Sequence, residues 1–238
     1  MLNLFLLFIA LQSPLRHISG INATVYYSAS MNTSIAKSYL PVIDQMCLDD
    51  TARFKIGFED GLKVRLCQDA YEFSNLTGMD SIFSPLWKDG TLYIAGQGDL
   101  DDSSYRSILE AGVIRALLNR LHQNGAPWWL VNAAAAYESG EYKNCFSPSI
   151  ENVDYFSDLD EKIQTASSPA ELNDLCFYLG ATGKFFELNF GAGSFLELVR
   201  EFQRETNINE AVKALFHVER GQLESDWHNF IAKEAETK

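Results

Sequence analysis

Few of the reactive side chains in this chain stand in arrangements that do chemistry. Histidines occur at positions 17, 122, 217 and 228 and cysteines at 47, 67, 145 and 176. No Gly-x-Ser-x-Gly turn presents a serine nucleophile, and no cysteine stands in an obvious arrangement with a histidine. Gly191-Ala192-Gly193 lacks the Lys and following Ser/Thr of a phosphate loop and suits the opening of a helix at Ser194. Asp99, Asp101 and Asp102 with Ser103 gather the hard oxygens that suit calcium. Their spacing fits no EF-hand loop, and the capping of a helix explains the same residues. Trp128 and Trp129 either line a ligand cleft or pack the core, and the Ala-rich segment after them favours the core. Arg115 falls on the inner face of an apolar helix, where its charge calls for an acid, Glu138 being one candidate, or for an outlet to solvent.

The elements that must position these residues follow from hydrophobic periodicity. Thr24-Val-Tyr-Tyr-Ser28 reads as a strand, Asn32 to Cys47 as a helix, and Phe54–Phe58 and Leu62–Leu66 as strands about the turn Glu59-Asp60-Gly61. Tyr71–Thr77 suggests a short helix and Gly90–Ala95 another strand. From Asp101 the pattern turns helical. A helix runs to about Gln123 with apolar residues nearly all round, which places it in the middle of a domain. Pro127 opens a second helix, Trp128 to about Glu138, and Gly140 ends it. Further helices are expected near Pro169–Leu179, Ser194–Glu205, Ile208–Phe216 and Leu223–Glu234. The fold class predicted is α+β: a β-rich half with a mixed sheet over 21–100, then a mostly helical half over 101–238, together one domain.

Within that order, Ser107 to Leu121 (Ser-Ile-Leu-Glu-Ala-Gly-Val-Ile-Arg-Ala-Leu-Leu-Asn-Arg-Leu) resembles the active-site helix of the gluzincin, or peptidase MA-like, zinc peptidases, which reads HExxH-Ala-Leu-Leu. Ala126-Pro-Trp-Trp-Leu-Val-Asn-Ala-Ala-Ala-Ala-Tyr-Glu-Ser-Gly140 resembles that family's second element, Pro-x-Trp-Leu-x-Glu-Gly-x-Ala-x-Tyr. Asn209 to Phe230, with Ala211, Gly221 and Trp227, is similar to its helical tail. The likeness covers most of Thr24 to Ile231 and implies a thermolysin-like architecture.

The family's chemistry needs two histidines one turn apart to share zinc, a glutamate between them to take a proton from zinc-bound water, and a third ligand from the next helix. Anchored on Ala116-Leu117-Leu118, the resemblance puts the first histidine position at Ala111, the general base at Gly112 and the second histidine at Arg115. Anchored on Trp129-Leu130 and Tyr137, it puts the third ligand at Asn132. Alanine and glycine have no donor atom, arginine is a permanent cation and asparagine a weak neutral ligand, so no zinc and no other cofactor is expected. Sliding the frame by one brings Glu110 to the base position but leaves Leu109 and Val113 as ligands. His122 lies one to two turns beyond Arg115, His217 and His228 lie in the tail, and each suits a structural histidine.

The resemblance thus implies a catalytically inactive metallopeptidase-like domain whose cleft binds a peptide or partner protein. Thr91, Tyr93 and Ala95 match the family's substrate-pairing strand edge, and Arg115 and Tyr137 complete the expected binding residues. The alternative is an active peptidase with an unusual metal site, zinc included, or another nucleophile.

Composition and processing signals set the context. The 238 residues carry a formal charge of -13, which disfavours nucleic acid and anionic membrane surfaces as partners. The apolar run Leu4–Leu11 is too short to span a bilayer and suits the core of a secretory leader over 1–20, although its start lacks Lys and Arg. Its removal would take His17 away and leave a mature protein with no membrane segment, secreted or periplasmic. In an oxidising compartment the local disulfide pairing is Cys47–Cys67 and Cys145–Cys176, with separate buried thiols the other option. Asn22, Asn32 and Asn75 begin glycosylation sequons.

Overall fold

Alternation of side chains along short strands builds the sheet. In the computed structural model, which describes residues 14–96, 98–146, 148, 153–204 and 207–237, β1 (Leu15–Ser19) and β2 (Ala23–Ser28) form an antiparallel hairpin. The strands β3 (Leu62–Cys67) and β5 (Thr91–Ala95) add parallel to it, and β4 (Leu86–Lys88) lies antiparallel on β5, giving the order β1-β2-β3-β5-β4. Val25, Val64, Leu66, Leu92 and Ile94 fill one face, each at most 1% exposed. The intervening positions carry Tyr26, Lys63, Arg65, Thr91 and Tyr93 to the other face.

The described residues up to Leu48, with Glu59–Asp99, form one compact unit; Asp49–Phe58 and the residues from Leu100 onward form a second. The α+β class and the mixed sheet of the N-terminal half are as read from sequence, with Asp49–Phe58 joining the helical unit. Helix α1 (Thr33–Phe54) has a buried stripe of Ala36, Tyr39, Ile43, Met46, Cys47, Asp50 and Phe54 at three- and four-residue steps. That stripe carries the helix to Phe54, the first residue of the expected strand Phe54–Phe58, which does not form. Lys55 takes a left-handed φ of 58° and stops the helix. Arg200 and Gln203 donate to the carbonyl oxygens of Arg53 and Phe54 and so satisfy its end.

Short α2 (Ala70–Thr77) follows β3 and is capped by Asp69, whose carboxylate accepts the Glu72 amide at 2.8 Å. The helical unit runs α3 (Ser103–Gln123), α4 (Trp128–Glu138), a 3-10 turn (Glu141–Asn144), α5 (Phe156–Thr165), α6 (Pro169–Phe190), α7 (Ser194–Glu201), α8 (Ile208–Phe216) and α9 (Arg220–Thr237). Asp102 caps α3, accepting the Ser104 amide at 2.8 Å. Pro127 is the residue before α4 and not its first, and α4 has its opening amide, Trp129 N, satisfied by Asp160 of α5 at 2.6 Å. Trp129 stacks on Phe156 with centroids 4.4 Å apart, so it serves the core. Helix α6 runs eleven residues past the expected Leu179 because Gly180 and Gly183 do not break it: they make room. A Cβ at Gly183 would come within 2.3 Å of the Tyr137 ring, and one at Gly180 within 2.0 Å of Tyr142. Trp227 of α9, fully buried, donates to Thr182 Oγ1 of α6 at 3.0 Å.

The leader expected over 1–20 overlaps β1: cleavage after Gly20 would remove this strand, and His17 with it, from the sheet. The apolar run Leu4–Leu11 lies outside the described residues. No described helix is long and apolar enough to cross a membrane. Cys145 and Cys176 form the expected disulfide, whereas Cys47 and Cys67 are separate buried thiols, which corrects the expected Cys47–Cys67 pairing.

The β1–β2 turn depends on one carboxylate. Asp44 of α1 accepts the backbone N–H groups of Ile21, Asn22 and Ala23, each at 2.8 Å. Asp44→Ala is therefore expected to destabilise the chain by about 2 kcal/mol in chemical denaturation, the scale of bonds to a charged acceptor, and loss of less than a few tenths would contradict this role of the turn.

Candidate functional site

Ala111 and Arg115 stand one turn apart on α3, and Asn132 lies one turn into α4. The structure brings the last two together: Arg115 Nε donates to Asn132 Oδ1 at 3.1 Å. The amide is oriented by its own nitrogen, which donates to the Trp128 carbonyl oxygen at 3.0 Å and leaves Oδ1 facing the guanidinium. Arg115 Nη2 donates to Glu141 Oε2 at 2.6 Å. The acid is Glu141 and not Glu138, the candidate picked from sequence.

Glu141 reaches this place through a sequence of local constraints. Gly140, at a φ of 76°, turns the chain out of α4 into the 3-10 turn. Ser139 Oγ accepts the Glu141 amide at 3.1 Å. Tyr142 sits over Gly180 of α6, and the Cys145–Cys176 disulfide ties the end of the turn to that helix. The side chains of Arg115 and Glu141 are 26% and 16% exposed, so the pair is screened from bulk water without being sealed from it.

Ala111 is fully buried and Gly112 is buried, and neither has a side-chain donor. The residues at the four positions do not fit a zinc ion. A fixed cation stands at one ligand position, and it occupies the Asn132 oxygen and a Glu141 oxygen as acceptors. Among the described residues no group of three or more His, Cys, Asp and Glu is placed to hold a metal ion.

The remaining residues singled out in the sequence are placed elsewhere. Tyr137 is not in this hydrogen-bonded group; its ring stacks on Tyr142 with centroids 5.5 Å apart and meets Phe195 edge-on, and burial pushes its phenol up to about 12. Thr91, Tyr93 and Ala95 lie on β5, which belongs to the other unit and is not a sheet edge: β4 pairs along Thr91–Tyr93, and the Ala95 amide donates to Ser84 Oγ at 2.7 Å. The expected strand-edge capture of a peptide there is corrected accordingly. His122 Nδ1 lies 2.8 Å from the Ala126 carbonyl oxygen and its ring stacks on Trp128, which closes the α3–α4 turn. His228 pairs with Asp154 at 3.2 Å, and His217 terminates α8 at a left-handed φ.

Sequence reasoning missed a second charged cluster in the helical unit. Arg53 Nη1 lies 3.3 Å from Asp50 Oδ1, 3.4 Å from Glu110 Oε1 and 3.9 Å from Glu138 Oε2, and donates to the Glu138 carbonyl oxygen at 3.3 Å. The geometry toward Asp50 is off the hydrogen-bonding direction, so neither oxygen of this fully buried carboxylate has a hydrogen-bond partner. Burial raises Asp50 from 3.8 to about 7 against the opposing pull of Arg53, with Glu110, Asp49 and Glu138 raising it further. Burial likewise raises Glu110 and Glu138, with Arg53 opposing. A signal was present, since Asp50 falls on the apolar stripe of α1, where an acid is out of place.

No family model matches the chain, and no curated protein matches it in sequence.

Because Asp50 holds its proton more tightly folded than unfolded, folding takes up a proton between about pH 4 and pH 7. Its contribution is therefore most favourable below its ordinary value of 3.8 and is lost as pH climbs toward 7. Asp50→Asn is expected to flatten that fall and to exceed the native chain in stability above pH 7, by roughly 1–3 kcal/mol. Unfolding curves of the two proteins from pH 4 to pH 8 check this, and parallel curves would contradict it.

Proposed function

We propose that the chain is a catalytically inactive metallopeptidase-like domain of the gluzincin type that binds a peptide or partner protein and does not cut it. One observation carries the reading. The resemblance fixed Arg115 and Asn132 independently, from motifs on two helices, as the places of the second histidine and the third ligand, and their side chains are in direct hydrogen-bonded contact. Two positions that must meet around a metal therefore do meet, around a guanidinium. Glu141 supplies the negative charge that balances it, so the group is stable with no ion. Without a Lewis acid to activate water, and with neither histidine nor glutamate at Ala111 and Gly112, hydrolysis has no source of nucleophile in this frame.

The Cys145–Cys176 disulfide supports an oxidising compartment, secreted or periplasmic, as the place of action. Binding at Thr91 and Tyr93 falls to their side chains and not to a strand edge, since β5 is flanked by β3 and β4.

The frame is tested by putting the family's residues back. The quadruple variant Ala111→His, Gly112→Glu, Arg115→His and Asn132→Glu is expected to retain its circular dichroism spectrum and to bind one zinc ion per chain by titration calorimetry. A folded variant with no zinc affinity would overturn the gluzincin reading.

A further inference from the structure

The polar face of the sheet holds an open pocket of about 600 Å³ within the N-terminal unit, and Thr91 and Tyr93 line it. Strand register sets its floor: Tyr26 of β2, Arg65 of β3 and Tyr93 of β5 are direct cross-strand neighbours. Leu15 of β1 and Tyr71 and Leu76 of α2 complete the apolar part of the lining. These three are 58%, 77% and 36% exposed. Apolar side chains exposed singly are ordinary on a surface, but three that converge on one pocket with two further tyrosine rings mark a place that takes a partner. A volume of this size takes a small organic ligand or one to three residues of a peptide.

The charges of the lining cancel, since Lys63 and Arg65 are balanced by Asp69 and Glu72. Arg65 pairs with Glu72 through Nη2, while its Nε and Nη1 are fully buried and closed to the pocket. Glu72 also accepts the Gln68 amide at 2.6 Å, and Asp69 caps α2. Lys63 is exposed to solvent, where an ion pair is worth little. A charged group entering this pocket would therefore shed water without a free, screened partner to replace it. Neutral polar groups are on offer instead. Among the described residues no hydrogen bond engages the phenols of Tyr26, Tyr71 and Tyr93 or the side-chain amide of Asn75. Such groups donate to and accept from a peptide backbone, which carries a donor and an acceptor at each residue other than proline.

We propose that this pocket receives an uncharged segment of a partner peptide through one aromatic side chain. The ring rests among Tyr26, Tyr71, Leu76 and Tyr93, and the phenols and Asn75 hold the backbone on either side of it. An aromatic residue is favoured over an aliphatic one because ring contacts with tyrosine add to the area buried. The proposal rests on the binding part of the reading above and deepens it, using the N-terminal unit alone. Its failure shows in peptide binding, whereas failure of the inactive-peptidase reading shows in zinc.

The test is an NMR titration of the full chain with acetyl-Gly-Gly-X-Gly-Gly-amide, X being Phe, Ala, Glu or Lys, and with N-acetyl-phenylalanine amide. The Phe peptide is expected to bind roughly ten-fold or more tightly than the Ala peptide, the scale of burying an aromatic side chain. The Glu and Lys peptides are expected to bind no better than the Ala peptide, and the single residue, without flanking backbone, less tightly than the Phe peptide. Tyr71→Ser, at an exposed position, is expected to weaken the Phe peptide roughly three-fold or more. Leu188→Ser, at an exposed apolar position of α6, is expected to leave its affinity unchanged. No binding at millimolar peptide, a Glu or Lys peptide that equals the Phe peptide, or a single residue that equals it, overturns the proposal whether or not the variants fold. An unchanged affinity in folded Tyr71→Ser, or an equal loss in Leu188→Ser, also overturns it.

Discussion

A guanidinium cannot shed its proton, so once Arg115 stands on the inner face of α3 the chain around it must supply acceptors that do not move away. Asn132 supplies one from α4 because its amide is already held by the Trp128 carbonyl. Glu141 supplies the charged one, and much of the helical unit serves to put it there. The left-handed turn at Gly140, the glycines of α6 that admit Tyr137 and Tyr142, and the disulfide from the 3-10 turn to α6 all fix one short segment. Removal of the arginine would leave Glu141 a half-buried charge without its partner, and removal of the glutamate would leave a cation beside a neutral amide. The interaction thus links three elements, each of which would be worse off without the others.

The Arg53 cluster solves a similar problem less completely. One guanidinium is shared among Asp50, Glu110 and Glu138, and the most buried of the three receives no hydrogen bond from it. The result is an acid that favours its neutral form, so the two clusters divide the roles of buried charge between them. At Arg115 the charges are matched and the network is satisfied, whereas at Arg53 excess negative charge is relieved by proton uptake. Glu110, which a shifted reading of the peptidase motif would make a catalytic base, is held in this second cluster by Arg53.

Much of this was legible from residue spacing, and the failures have physical reasons. The segment Ile208–Phe216 is a helix with the bounds its periodicity gives, and Trp128–Glu138 likewise. The motif anchors placed Arg115 and Asn132 at positions that the fold brings together. Glu141 was missed because it lies beyond a glycine that sequence alone reads only as a helix end. Glu138 looked plausible by proximity along the chain, but six residues past Asn132 it faces away, toward Arg53. Strand β4 has three residues, too few to show alternation, and its absence from the sequence reading made β5 look like an edge. The long α6 was cut short at glycines whose purpose is close approach, which no single-chain pattern reveals. Arg65 reads as an ordinary polar position of an alternating strand until the closure of α2 over it is known.

The central claim is that Arg115 and its two partners stand where this frame would otherwise hold a metal. It is tested most directly by the zinc content of the native chain, prepared with excess zinc and desalted, together with its cleavage of a peptide library with and without chelator. The account predicts far less than one zinc per chain and no chelator-sensitive cleavage. One zinc per chain, with peptide cleavage that the chelator abolishes, would contradict it.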